Sequence, residues 1–352
     1  MRLLNFARHL LLIVLLLALT ACSSTPPPQP TQPPLPVAAD AFALTKRLGK
    51  GVNLGNMLEA PKEGDWGLRV EADYFALIRA AGFAHVRVPI RWSAHAATEA
   101  PYTVNPEFFA RIDWVVDQAL ANDLAVVLNV HHYDEMYVDP TVHDDRFVAI
   151  WTQIAERYQD RPPEVLFEFL NEPNGGLGAA RWNRIFAKTL AAVRATNPTR
   201  GIVVGPVEWN SFARLDELEL PEDDAYLIAT FHYYLPFEFT HQGAEWAPGS
   251  DAWLGRTWSG EGLDASDVDA HFDQAAQWAA DHHRPLYLGE FGAYSKADMD
   301  SRARWTAYVA RAAESRGMAW AYWEYASGFG VYDPTARSWR EPLLTALFPP
   351  SN

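Results

Sequence analysis

Eight short apolar runs, each set off from the next by residues of helical or loop character, constrain this chain more than any other feature. They are Gly51 to Gly55, His85 to Ile90, Ala125 to Val130, Val165 to Leu170, Gly201 to Gly205, Tyr226 to His232, Pro285 to Glu290 and Ala319 to Trp323. Short runs rich in β-branched residues suit parallel strands buried on both faces. Between them, spacing predicts helices over Val70 to Ala81, Pro106 to Asn122, Arg146 to Tyr158, Ala179 to Thr196, Ala265 to Asp281 and Ala297 to Arg316. A final short helix is predicted over Pro342 to Leu347. The region after the fifth strand, Asn210 to Leu218, carries the weakest helical pattern. Strand and helix alternating in this way point to the α/β class and a (β/α)8 TIM barrel. A doubly wound open sheet would use the same alternation. No G-x-G-x-x-G turn follows the first strand, so its dinucleotide-binding form lacks support.

A barrel puts its chemistry at the C-terminal ends of the strands. Polar residues gather at those ends here. Asn53 and Asn56 end the first run, Arg87 lies in the second, His131 and His132 follow the third, and Asn171 and Glu172 follow the fourth. Trp209 and Asn210 follow the fifth, His232 and Tyr234 the sixth, Glu290 ends the seventh and Trp323 the eighth. Two carboxylates at one barrel mouth are the minimum for breaking a glycosidic bond, with Glu172 read as general acid/base and Glu290 as nucleophile. The plain alternative for either is a surface-loop carboxylate. Arg87 is the group expected to hold Glu290 ionised, since a nearby guanidinium favours the carboxylate. Glu172 must begin protonated, so a drier or more negative environment is expected around it, with Glu290 itself supplying much of the upward shift.

Charge and composition narrow the partner. A net charge of -15 disfavours nucleic acid, whose binding rests on Lys and Arg neutralising phosphates. Trp and Tyr, at 14 each, can stack on the apolar faces of sugar rings, although many belong to the core. His131 and His132 with Asp134 and Glu135 offer a metal alternative. Adjacent histidines project differently and no ligand-spaced partner joins them, so neither a metal nor a cofactor is expected. His282 and His283 read as a solvated helix end. Trp246, Trp253 and Trp258 fall in a Gly- and Pro-rich segment, residues 243–260, and are either outer sugar subsites or anchors of that loop.

The N-terminus reads as an address. Arg2 and Arg8 precede an apolar run from Leu10 to Leu19, too short for a membrane span, and Leu19-Thr20-Ala21-Cys22 follows. This resembles a bacterial lipoprotein signal, which implies cleavage after residue 21 and a lipid on Cys22. Plain secretion with cleavage nearby is the alternative. Cys22 is the only cysteine, so no intramolecular disulfide is possible. Ser23 after it resembles lipoproteins sorted to the outer membrane. Residues 22–38 form a proline-rich tether, and the folded catalytic domain is expected over residues 39–352.

Gly51-Val-Asn-Leu-Gly-Asn56, Arg87-Val-Pro-Ile90, Asn129-Val-His-His132, Phe169-Leu-Asn-Glu-Pro173, Phe231-His-Tyr-Tyr234, Gly289-Glu-Phe-Gly292 and Tyr322-Trp-Glu-Tyr325 occur in this order. Together they resemble glycoside hydrolase family 5, the retaining cellulases, mannanases and related enzymes, over nearly the whole chain from Ala39. The resemblance implies that Asn171 bonds the sugar 2-hydroxyl, Tyr234 orients the nucleophile and His232 contacts Glu172 or substrate. It also implies that His131 binds a sugar hydroxyl and Trp323 stacks under that sugar. His132 is equally a ligand contact or a structural histidine, and Trp209 is a supporting cleft residue. Asn53 and Asn56 read as structural, with Glu59 a minor candidate for substrate contact. The implied substrate is a β-1,4-glucan, cellulose or mixed-linkage, cut internally by an exported, monomeric enzyme. Mannan, xyloglucan and β-1,3-glucan remain open, as does a noncatalytic glycan-binding lipoprotein; a metal hydrolase of another barrel family is the third reading.

Overall fold

The computed structural model describes residues 39–350. The expected signal, Cys22 and all of the tether but its boundary with Ala39 lie outside the described residues. Eight parallel strands close into a barrel in sequence order: β1 (Lys50–Asn53), β2 (His85–Val88), β3 (Ala125–Asn129), β4 (Val165–Glu168), β5 (Ile202–Val204), β6 (Leu227–Tyr233), β7 (Leu286–Phe291) and β8 (Ala319–Tyr322). β8 returns to β1, with Gly51 opposite Ala321. The open-sheet alternative is thereby excluded. Each strand falls within one or two residues of its expected bounds, except where the terminal residues already serve as loop.

The surrounding helices form because their apolar stripes have a barrel to cover, and two of them carry a side-chain cap at the N-terminus. Asn105 accepts from the N–H of Glu107 ahead of Pro106–Ala121, and Asp298 accepts from Ser301 ahead of Met299–Ser315. Every strand residue of β2, β3, β4 and β7 is buried, with helices outside and side chains filling the interior.

Several local features depart from the sequence expectation, the short helices Asp134–Val138 and Phe237–Thr240 among them. A helix not anticipated, Ala41–Leu48, opens the domain, capped by Asp40. Its Ala41, Leu44 and Leu48 pack with Ala125, Val127, Leu166, Val203, Ile228, Tyr287, Ala319 and Ala321, closing the N-terminal end of the barrel. At eight residues it is too short to stand on periodicity alone. The weak pattern over Asn210 to Leu218 is a 3-10 turn, Phe212–Glu217, preceded by three residues with positive φ. Two-residue strands at Tyr332–Asp333 and Ser338–Trp339 form a small ribbon outside the barrel.

Polar side chains occupy the barrel axis. Near its N-terminal end the His85 ring bonds the Leu48 carbonyl (2.7 Å) and the Tyr287 hydroxyl (2.9 Å). Gly51 makes this possible, since a Cβ there would lie 2.1 Å from the imidazole. Above that layer sits Arg87.

Candidate active site

Arg87 is fully buried, and all five of its N–H donors have acceptors. Nε and one Nη2 hydrogen grip Glu168 side-on (2.6 and 2.7 Å), and the other Nη2 hydrogen reaches Asn171 Oδ1 (2.8 Å). Nη1 serves Glu290 Oε1 (2.7 Å) and Asn53 Oδ1 (2.8 Å). Asn53 in turn donates to the carbonyls of Gly289, Ala321 and Tyr322, stitching β1 to the strands that deliver Glu290 and Trp323. Glu168 is the participant that sequence reading missed. It ends a strand of otherwise apolar residues, and a charged residue in such a run needs a partner when buried, which was the available signal.

The two carboxylates stand on different supports. Glu290 Oε2 accepts from the Tyr234 hydroxyl (2.9 Å), so both its oxygens meet donors. Glu172 Oε1 lies at hydrogen-bond distance from His232 Nδ1 (2.8 Å), and Glu172 keeps 25% of its side chain open to the cleft, against 5% for Glu290. Its backbone is left-handed, with φ at 48°. The turn is held by the Tyr137 hydroxyl on the Asn171 carbonyl (2.6 Å) and by Asn174 Nδ2 on the Glu172 carbonyl (2.8 Å). One carboxylate oxygen from each Glu and one His232 nitrogen lie within 4.8 Å of one another.

Protonation follows from burial. Burial lifts the Glu172 carboxyl to about 7, opposed by Arg87 and reinforced by the charge of Glu168. Burial is thus the leading cause, and the repulsion between Glu172 and Glu290 that the sequence suggests acts within the same pair. Burial raises Glu290 as well, with His232, Arg87 and the Tyr234 hydroxyl pulling it back. His232 is pushed down to about 4 by burial and is neutral at pH 7.

The other expected residues are placed as follows. The His131 ring lies parallel to Trp323 (centroids 5.7 Å apart, 9°), and His132 meets His131 edge-on at 4.5 Å. Trp66, on the loop after β1, meets His132 edge-on at 5.7 Å, extending this aromatic line away from the carboxylates. Trp209 stands apart from Trp323 as an exposed wall of a cleft of about 590 Å³ that includes Glu172, His232, Tyr234, Trp246 and Trp253. Of the loop tryptophans, Trp246 is open to that cleft. Trp258 is instead buried against Tyr308, with its carbonyl held by Arg304, so one loop both lines the cleft and anchors itself. Glu59 is buried and its carboxylate accepts from the backbone N–H groups of Asn56 and Met57, so it shapes the loop after β1. Glu324, also missed, gathers the N–H groups of Ala326, Ser327 and Phe329 behind Trp323.

Asp134, considered as a metal ligand, pairs with Arg91 (2.7 Å). Among the described residues the group close enough to hold an ion is Glu172, His232 and Glu290. Its donor set does not suit one: Glu290 already faces Arg87 and Tyr234 donors, and the His232 nitrogen nearest both carboxylates lies at hydrogen-bond distance from Glu172.

A closed parallel barrel with this carboxylate pair at the strand ends defines the class as a barrel glycoside hydrolase. Residues 47–328 match Cellulase (glycosyl hydrolase family 5), and the chain belongs to that family. It is similar to Endoglucanase H of Acetivibrio thermocellus, 38% identical over 321 residues, covering 90% of this chain and 34% of that protein. The chain spans about a third of the length of the first curated relatives it matches. Among solved structures, endoglucanase Cel5A of Thermotoga maritima superposes with a TM-score of 0.87 at 48% identity, covering 88% of this chain and 100% of that one. That protein has also been solved with cellobiose and with mannotriose. The cellulose synthase subunit Z of Clostridioides difficile superposes at 0.83 with 38% identity, covering 86% and 99%.

Proposed function

We propose that the protein cleaves internal β-1,4-glucosidic bonds of cellulose or mixed-linkage β-glucan with retention of anomeric configuration. The observation that carries this is the spacing and support of the carboxylates. Glu172 and Glu290 each bring a carboxylate oxygen within 4.8 Å of the other's, which supports the close pairing that retaining enzymes use, with carboxyl groups roughly 5 to 5.5 Å apart. Glu290, oriented by Arg87 and Tyr234, attacks the anomeric carbon while Glu172 protonates the leaving oxygen. Glu172 then takes a proton from water, which releases the sugar from Glu290. The Arg87 bond to Asn171 supports its role at the 2-hydroxyl, Trp323 stacks under that sugar, and His131, lying parallel to Trp323, binds a sugar hydroxyl.

A noncatalytic glycan-binding role would not need a buried guanidinium that gives three hydrogen bonds to carboxylates and two more to Asn53 and Asn171. The test is reducing-sugar release by the domain from Ala39 on carboxymethyl cellulose, barley β-glucan, xyloglucan, mannan and laminarin, with and without EDTA. Release from β-glucans, unchanged by chelator and giving the β-anomer first by NMR, is expected. Silence on every glycan with measurable binding would reject the hydrolase reading, and loss with EDTA would reject the metal-free chemistry. Mannan is the second reading, favoured by the mannotriose complex of the similar Thermotoga protein.

The acid must hold its proton and the nucleophile must lack one. Activity therefore falls as pH rises through about 7, where Glu172 ionises, and falls again as pH drops through the raised value of Glu290. The kcat/KM profile is expected to be a bell whose alkaline limb is absent in Glu172→Ala acting on an activated aryl cellobioside. An alkaline limb unchanged in that variant would reassign the acid.

The helix Ala41–Leu48 closes the barrel end opposite the cleft, so a tether entering there would turn the cleft away from its attachment point. We infer that Cys22 carries a lipid and that the cleft faces outward from the envelope. Metabolic labelling with palmitate should mark the full chain but not Cys22→Ser, and equal labelling of both would remove the anchor.

A further inference from the structure

Asn210 is completely buried and closes a run of three non-glycine residues with positive φ: Glu208 at 57°, Trp209 at 58° and Asn210 at 54°. Such a run persists where surrounding contacts over-determine it. Here the Trp209 N–H donates to the Pro173 carbonyl, tying this loop to the turn that carries Glu172. Ser211 pairs with His232 as an isolated parallel bridge. Two glycines clear space for the pair: a Cβ on Gly205 would lie 2.3 Å from Asn210 Oδ1, and one on Gly289 would lie 2.9 Å from His232 Nε2. A register shift between β6 and β7 falls at Phe231/His232, the position from which this imidazole projects.

Each nitrogen of the boxed imidazole has one hydrogen-bond partner, and Glu290 Oε2 stands further off, 3.6 Å from Nδ1. Asn210 Nδ2 lies 3.2 Å from Nε2, and Glu172 Oε1 lies 2.8 Å from Nδ1. Asn210 turns Nδ2 toward the ring and leaves Oδ1 buried with no hydrogen-bond partner; with an amide nitrogen there, which can only donate, Nε2 accepts and the single hydrogen of the neutral ring sits on Nδ1. That hydrogen is given to Glu172 Oε1. A carboxylic acid that accepts on one oxygen carries its proton on the other.

We propose that Asn210, acting through the tautomer of His232, fixes the acid proton of Glu172 on Oε2, ready for the leaving oxygen. The inference rests on the reading of Glu172 as general acid, and Asn210 is a positioning residue that does not touch substrate. In the step itself the proton passes from Oε2 to the glycosidic oxygen as its bond to the anomeric carbon breaks and the bond from Glu290 forms. His232 keeps its hydrogen throughout.

The opposite tautomer can be imposed. In Asn210→Asp a carboxylate accepts from Nε2–H, and a bare Nδ1 then faces Glu172 and competes for the acid proton. Asn210→Gly, matched to the left-handed backbone, removes the donor without forcing the other tautomer. The readout is the ratio of kcat/KM on cellotetraose, whose leaving group needs the proton, to kcat/KM on 2,4-dinitrophenyl cellobioside, whose leaving group does not. A positioned acid contributes roughly 100- to 10,000-fold, and the ratio is expected to fall about tenfold or more in Asn210→Asp and less in Asn210→Gly. A general weakening of the fold would lower both rates and leave the ratio in place. Nitrogen-15 NMR of the wild-type protein should find the His232 hydrogen on Nδ1. A hydrogen on Nε2, or an unchanged ratio in both folded variants, overturns the proposal; if Asn210→Asp does not fold, Asn210→Gly and the wild-type spectrum decide it. Glu172→Ala must collapse the same ratio, and if it does not, the acid assignment has failed and not the role of Asn210.

Discussion

Glu290→Gln is expected to lower kcat by roughly 10⁴- to 10⁶-fold, the scale on which covalent hydrolases lose rate without their nucleophile. Binding of cello-oligosaccharides should survive. The substitution is nearly isosteric, and the Gln oxygen can still accept from Arg87 Nη1 on the Oε1 side. What is lost is the negative charge that attacks the anomeric carbon. Chemical rescue separates the two carboxylates. In Glu290→Ala, azide enters from the face the nucleophile left and yields the inverted glycosyl azide. In Glu172→Ala the glycosyl-enzyme still forms from an activated substrate, and azide intercepts it to yield the retained product. The opposite stereochemistry in the two variants would exchange the roles assigned here, and full activity of Glu290→Gln on β-glucan would end the two-carboxylate mechanism.

Arg87→Leu is the substitution with the largest expected effect on the fold. It leaves Glu168 buried with no counter-ion and strips Asn53, Asn171 and Glu290 of a donor each. Removing one member of a buried pair costs about 3–5 kcal/mol, and for a domain of this size that is a fall in Tm on the order of 10 °C. Activity should vanish with it, because Glu290 loses the guanidinium that orients it and lowers its proton affinity. The double variant Arg87→Leu, Glu168→Leu distinguishes the two losses. Replacing an entire buried pair with apolar residues is often neutral for stability, so Tm should largely recover while turnover does not. A single variant as stable as the wild type would mean that the buried network contributes little to holding the barrel together.

The order of the eight strands was legible because a parallel strand buried on both faces leaves an unbroken apolar run, and such runs are local. The carboxylates were legible for a related reason: each follows or ends such a run, where a barrel has its mouth. The sequence by itself therefore determined the barrel, the placement of Glu172, Glu290, Arg87, Asn171, His232 and Tyr234 at strand ends, and the families of chemistry open to them. It could not show that Arg87 divides its five hydrogen bonds among groups up to 203 residues distant, since that sharing exists only once β8 has closed onto β1. Glu168 was hidden inside a run that read as ordinary strand. Trp246 and Trp258 lie in one loop with the same local character, yet one faces the cleft and the other a helix. Which groups share a buried space was decided by the tertiary structure alone, and with it the extent to which burial raises the proton affinity of Glu172. Periodicity and turn chemistry act over a few residues, whereas desolvation and charge coupling depend on neighbours that only the closed barrel supplies.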